Sequence, residues 1–164
     1  MRRRRSRDGV TVAPVVSVGL SNTSNAGVTP PLAVSPGTIN AILLVDAALT
    51  PGAMVNAVIT ATEAKTMTLA EWDVRTPQGD PASGTSTDSV VVAYTVRGAG
   101  LSYAGPATTV GWLVARTVRA AGASAGEPTA RRLPQASVSS TSSIQPAPAM
   151  ASGKPQVVIA SRAT

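Results

Sequence analysis

Residues 37–66, GTINAILLVDAALTPGAMVNAVITATEAKT, decide the fold. Residues 39–45 form a nearly continuous apolar run in which Asn40 is the one polar residue. A run this short and this apolar is typical of a strand that is buried on both faces. The Thr50-Pro51 pair then predicts the start of a helix, with Thr50 as N-cap and Pro51 at the first helical position.

The helix that follows Pro51 is predicted to be amphipathic. At about 100° per residue, one face carries a mostly apolar set, consisting of Val55, Val58, Ile59, Thr62, Thr66 and Leu69. Glu63 and Lys65 lie at opposite edges of that face. The helix is expected to end near residues 72–75, before Thr76 and Pro77.

Further elements are predicted on both sides of this unit. Residues 10–20 are rich in Val and predict a strand, and Pro14 places its first half at an edge or outside the sheet. Residues 90–96 predict a second buried strand. Residues 108–121 predict a helix whose apolar stripe is Val110, Leu113, Val114 and Val118. This order predicts an α/β fold, a layered mixed sheet with helices packed on it.

The net charge of +6 over 164 residues is concentrated at the two ends of the chain. Residues 1–8 hold five Arg and one Asp, and residues 122–164 hold three Arg, one Lys and one Glu. Residues 9–121 hold four Arg, one Lys, four Asp and two Glu, so this part is nearly neutral at −1. A surface of the domain that binds nucleic acid is therefore not expected.

Composition also excludes several kinds of chemistry. The chain has no Cys and no His, which excludes a disulfide, a thiolate nucleophile, a His-dependent triad and the usual zinc sites. No metal site is predicted. No stretch approaches the ~20 apolar residues of a membrane span, so we expect no membrane partner and a cytoplasmic location.

Both ends are expected to be disordered. Residues 1–9 are an arginine-rich terminus, and residues 122–164 are a low-complexity tail of Ala, Ser, Pro, Thr and Gln. The predicted domain therefore spans residues 10–121. One interpretation of the whole chain is structural: it is a small module that acts through its basic ends.

Residues 84–89, GTSTDS, could carry chemistry because hydroxyls, a carboxylate and free backbone N–H groups crowd one place. An ordinary turn, in which Asp88 and Ser89 bond the backbone, explains the same composition. Glu63 and Lys65 are equally compatible with a solvated helix flank. None of these patterns has the specificity of a phosphate-binding loop or a zinc cluster.

Five motifs follow one another at close spacing. They are GLSN at residues 19–22, PGTINAILLVD at 36–46, ATEAKT at 61–66, GTSTDSVVVA at 84–93 and YAGPAT at 103–108. This succession resembles the adenosylcobinamide amidohydrolase family over roughly residues 10–121. The resemblance implies hydrolysis of the amide that joins aminopropanol to the corrin ring, which gives adenosylcobyric acid for cobalamin synthesis. It implies a small-molecule corrinoid as substrate and no cofactor.

The chain departs from the family pattern in three places. Ser86 stands where the family usually has Gly, Ala115 replaces an expected Gly, and a family-like N-terminal segment is missing. The domain is therefore expected to be an incomplete version of the family domain, through a wrong start or a frameshift that upstream DNA would reveal. A catalytically inactive corrinoid-binding remnant is the alternative function.

The expected catalytic residues are Asp88, Glu63 and Lys65. Asp88 or Glu63 could act as base, and Lys65 could stabilise the oxyanion or protonate the leaving amine. A Thr or Ser nucleophile activated by Lys65 is an alternative. The expected substrate-binding residues are Asn22, Asn40, Thr85, Thr87 and Tyr103.

Overall fold

The computed structural model describes residues 4–31 and 36–125. The elements are, in chain order, β1 (Arg5–Arg7), β2 (Val10–Val18), β3 (Thr23–Ser24), β4 (Ile39–Asp46), α1 (Pro51–Glu71), β5 (Gly84–Thr85), β6 (Ser89–Tyr94) and α2 (Thr109–Ala125). A four-stranded sheet has the order β1-β2-β4-β6, and β3 and β5 form a separate two-stranded ribbon. The predicted α/β fold with a mixed sheet is confirmed.

Strand directions give the sheet its mixed character. The β1–β2 and β2–β4 pairs are antiparallel, whereas β4 and β6, which α1 connects, are parallel. The register joins Val12 to Val45 and Leu43 to Val92. The prediction that Pro14 places the first half of β2 at an edge is wrong, since Thr11 and Val12 pair with strands on both sides.

The sheet buries one face only. Alternate residues of β4 such as Leu43 and Val45 are at most 2% exposed and pack with residues of α1 and α2, whereas Ile42 and Leu44 are about 40% exposed. Strand β4 was predicted to be buried on both faces, and this is wrong because its exposure alternates along the strand. The apolar run therefore reflects a half-covered sheet.

Helix α1 begins where the sequence predicts it. Thr50 is the N-cap, its hydroxyl accepts from the N–H of Ala53, and Pro51 opens the helix. The predicted apolar face is right for Leu69, which is buried, and for Val58, which packs against the core, but it is wrong for Val55 and Ile59, which are about half exposed. The face that packs on the sheet and on α2 carries small side chains, namely Ala53, Ala57, Thr60, Ala61, Ala64 and Thr68. Small side chains let the backbones approach closely.

Helix α2 follows its predicted stripe. Val110, Leu113, Val114 and Val118 are all buried in the core. The helix ends at Ala125, so the beginning of the predicted tail is helical, while residues 126–164 lie outside the described residues. None of the helices that the structure describes is long and apolar enough to span a membrane.

The arginine run contributes to the sheet. Arg5–Arg7 pair with residues 10–12, so the prediction of a disordered terminus over residues 1–9 does not hold for them. The guanidinium groups of Arg7 and Arg116 each lie 5.3 Å from the ring centroid of Trp112. The Arg7 contact attaches β1 to α2, whereas the Arg116 contact lies within α2.

Candidate functional site

The site centres on an ion pair between Lys65 of α1 and Asp88, which directly precedes β6. Each side chain is only 16% exposed. One oxygen of Asp88 accepts from Lys65 and from the N–H of Thr85 at 3.1 Å. The other accepts from the hydroxyl of Thr85 at 2.5 Å and from the N–H of Ile39 at 3.1 Å. Four donors therefore converge on one carboxylate.

This convergence fixes the orientation of the groups around Asp88. A carboxylate offers about four lone-pair positions, so Asp88 has little capacity left for a proton from substrate. Lys65 has three N–H donors, and Asp88 is its hydrogen-bond partner among the residues that the structure describes. Two N–H groups of Lys65 are therefore available to a bound molecule.

Gly84 lets the ion pair lie against the backbone. A Cβ at this position would meet the Asp88 oxygen at 2.4 Å and the Lys65 nitrogen at 2.6 Å. The loop is held from both sides, because Thr66 of α1 donates to the carbonyl of Ser83 and the β3–β5 ribbon pairs Thr23 with Thr85. The ion pair is therefore held against a backbone position, Gly84, that carries no side chain.

A cleft of about 330 Å³ opens beside the pair. Six of the ten residues that line it carry hydroxyl groups, and the wall consists of Ser24, Ala26, Thr62, Lys65, Thr66, Ser83, Gly84, Thr85, Ser86 and Asp88. A smaller cavity of about 30 Å³, with almost wholly apolar walls such as Val18 and Leu69, also touches Lys65 and Asp88. The ion pair therefore stands between a polar cleft and an apolar cavity.

The site lies at the amino ends of the two parallel strands, since Asp88 precedes β6 and bonds the first residue of β4. Ligands of open α/β sheets usually bind at the carboxyl ends. Here α1 runs back along the sheet, so that Lys65 in its second half reaches the amino ends.

The structure brings three of the predicted site residues together, namely Lys65, Asp88 and Thr85. Asn22 lies close by and donates to the hydroxyl of Ser86 at 2.9 Å. The backbone N–H of Ser86 in turn donates to the carbonyl of Asn22. Asn22 thus supports the loop that forms one wall of the cleft.

The other predicted site residues lie elsewhere. Thr87 bonds the carbonyl of Gly37 on an exposed loop, and Asn40 accepts from Ser89 on the open face of the sheet. Glu63 is exposed and, two positions before Lys65, lies about 160° away around the helix. Tyr103 is 72% exposed, and none of these residues lines either cavity beside the ion pair.

Sequence reasoning missed several residues of the cleft. Thr62 and Thr66 were placed on the buried face, although the spacing of three between Thr62 and Lys65 could have indicated a shared surface. Ser24 belongs to a polar loop, and the sequence carries no signal that joins it to Ser83, whose N–H bonds its carbonyl across 59 positions.

The YAGPAT motif has a packing role. A Cβ at Gly111 of α2 would lie 2.0 Å from the carbonyl oxygen of Gly105, so the motif's backbone touches the helix directly. Thr108 accepts from the N–H of Gly111 and donates to the carbonyl of Gly105. This motif therefore starts α2 and fixes it against the preceding loop.

The fold and the cleft define an α/β protein with a lysine–carboxylate site in a hydroxyl-lined cleft. A family model described as adenosylcobinamide amidohydrolase matches residues 1–132. The chain belongs to this amidohydrolase family, as the order of its motifs predicted.

One similar protein is an uncharacterized protein of Methanocaldococcus jannaschii, which is 42% identical over 80 residues. The match covers 48% of this chain and 31% of the relative, so the chain spans about a third of the relative's length. No solved structure matches the chain significantly.

Proposed function

We propose that this protein hydrolyses the amide that joins aminopropanol to the corrin ring of adenosylcobinamide. The observation that supports this proposal is the cluster of Lys65, Asp88 and Thr85 on the wall of the cleft. The ATEAKT and GTSTDSVVVA motifs, two of the strongest in the family resemblance, supply its side chains. The corrinoid is the substrate, and the proposed reaction needs no further cofactor.

Lys65 is the group we assign to the charge that develops in the reaction. Attack on the amide carbon places negative charge on the carbonyl oxygen, and a cationic N–H donor in a partly buried wall stabilises it. The same ammonium can protonate the departing amine of aminopropanol. Asp88 holds Lys65 and Thr85 in place through its bonds, and it also serves as the base if Thr85 is the nucleophile.

Two nucleophiles fit the cleft. In the first, a water attacks the amide carbon, Lys65 gives a proton to the amine nitrogen as the C–N bond breaks, and the neutral Lys65 then takes the proton that the water loses. In the second, the Thr85 oxygen attacks, Asp88 takes the hydroxyl proton, aminopropanol leaves protonated, and a water then hydrolyses the ester to the acid. Intact mass spectrometry of quenched reactions separates them, since only the second adds a corrinoid acyl group to the protein.

The experiment that tests the proposed function measures release of aminopropanol from adenosylcobinamide by mass spectrometry. We expect release by the full chain and a loss of about hundredfold in kcat for Asp88→Asn, the range found when positioned catalytic groups are disturbed. Asp73→Asn is the matched control, because Asp73 only forms an exposed ion pair with Arg75. No release by folded protein, or equal rates for both variants, would overturn the proposal.

Binding of a corrinoid without turnover is the second candidate function. The observation in its favour is that Asp88, the one carboxylate on the wall of the described cleft, already accepts four bonds. Tight binding of adenosylcobinamide without release of aminopropanol would support this candidate, and turnover would refute it.

A further inference from the structure

An exposed stripe runs along the outer side of α1. It consists of Val55, Ile59, Thr62 and Thr66, which we call the α1 stripe. At about 100° per residue these side chains fall within an arc of about 60°. Val55 is 53% exposed and Ile59 is 48% exposed, although the sequence predicted that both would be buried. The helix therefore presents apolar surface to solvent where its pattern predicts core.

The α1 stripe is continuous with the cleft. Thr62 and Thr66 belong to the cleft wall, and Lys65 lies beside them on the same helix. Val55 and Thr66 are eleven positions apart, which is about 16 Å at 1.5 Å per residue. One end of the stripe is therefore apolar, and its other end carries hydroxyls and lies beside the ion pair. The stripe carries no charged side chain.

A second apolar surface lacks this continuity. The open face of the sheet exposes Val15, Ile42 and Leu44 by about 40% each. No residue of that face lines the cleft beside Lys65. A molecule bound to the α1 stripe can therefore place one of its substituents at the ion pair.

We propose that the α1 stripe binds the corrin ring of the substrate while the amide arm enters the cleft, an inference that rests on the proposed function. A corrin is a broad, largely apolar ring whose rim carries amide groups. Val55 and Ile59 offer apolar contacts to the ring, and the hydroxyls of Thr62 and Thr66 offer hydrogen bonds to amides at its rim. Contacts remote from the scissile bond then supply binding free energy that positions the amide.

The test uses adenosylcobyric acid, which keeps the corrin ring but lacks aminopropanol and so binds without reaction. Its affinity for the full chain is measured by equilibrium dialysis with detection of corrin absorbance. We expect Val55→Lys and Ile59→Lys each to raise the Kd at least tenfold. Val96→Lys is the matched control and should leave the Kd unchanged, because Val96 is 61% exposed and lies beyond the end of β6.

The outcomes separate this inference from the proposed function. Binding of adenosylcobyric acid that is lost in Ile59→Lys supports the α1 stripe even if the chain releases no aminopropanol. An unchanged Kd in both variants, or no binding by the full chain, overturns the inference. Should Ile59→Lys fail to fold, Ile59→Gln replaces it. A changed sedimentation coefficient with an unchanged Kd would show instead that the stripe joins two copies of the chain, which also overturns it.

Discussion

Residues 84–89 and residues 103–108 are both short segments that combine glycine with hydroxyl side chains, yet their structural roles differ. In the first segment, Asp88 accepts hydrogen bonds from Lys65 and from Thr85 on the wall of the cleft. In the second, the hydroxyl of Thr108 bonds the N–H of Gly111 in α2 and the carbonyl of Gly105. Both segments belong to motifs of the family resemblance, so resemblance alone does not separate a chemical role from a packing role.

The two glycines that accompany these loops show the same contrast. At Gly84 a Cβ would meet the ends of two charged side chains, whereas at Gly111 it would meet backbone carbonyls. Side-chain ends can move aside, but the backbone of a packed loop cannot do so cheaply. Identical Gly→Ala substitutions should therefore have different effects at the two positions.

The largest effect on stability is expected for Gly111→Ala. The new Cβ lies 2.0 Å from the Gly105 oxygen, so the loop or the helix must shift. Overpacking of this kind costs about 1–3 kcal/mol or more, and the gain of about 1 kcal/mol from Ala in a helix offsets only part of it. Urea unfolding should show a net loss of at least about 1 kcal/mol, with unchanged activity per folded molecule. Unchanged stability would contradict the packing role of the YAGPAT motif.

A smaller effect, confined to function, is expected for Gly84→Ala. The new Cβ would push Lys65 and Asp88 apart, which we expect to lower kcat about tenfold, equivalent to about 1.4 kcal/mol. Because side-chain ends can relax, the unfolding free energy should fall by less than about 1 kcal/mol. Steady-state release of aminopropanol and urea unfolding measure the two quantities. Full activity in this variant would show that the ion pair's position is not important.

The smallest effect is expected for Tyr103→Ala, although the sequence predicted a contact between Tyr103 and the corrin. The side chain is 72% exposed and lines neither cavity beside the ion pair. Surface substitutions of this kind change stability by about 0.5 kcal/mol or less, and the KM for adenosylcobinamide should not change. A clearly raised KM would restore the sequence-based assignment and place the corrin away from the α1 stripe.

The contrast between α1 and α2 explains how much of the fold the sequence could predict. The α2 stripe of Val and Leu is buried as its periodicity indicates, because these are the largest aliphatic residues of that helix. In α1 the buried face consists mainly of Ala and Thr, with Met54 and Leu69, and the larger Val55 and Ile59 face solvent. A pattern weighted by side-chain size therefore identifies the wrong face when backbones pack closely.

The candidate site was predictable only within local segments. Lys65 and Asp88 each belong to a recognisable motif, and their pairing follows from the β4–α1–β6 connection. The ribbon that joins β3 to β5 depends on backbone hydrogen bonds between segments some 60 positions apart, which leave no mark in composition. From the sequence alone, Glu63 and Lys65 were equal candidates for the site, and only the structure shows that they lie on different sides of α1.

The proposed reaction depends on the ammonium group of Lys65 in the cleft, and chemical rescue of the Lys65→Ala variant tests this dependence. The variant should stay folded, because Asp88 keeps its bonds to Thr85 and Ile39 and Ala favours helix. We predict that aminopropanol release falls about hundredfold and that ethylammonium partly restores it. Tetramethylammonium, which has the charge but no N–H donor, should not restore it. A folded Lys65→Ala variant that releases aminopropanol at the wild-type rate would contradict the claim.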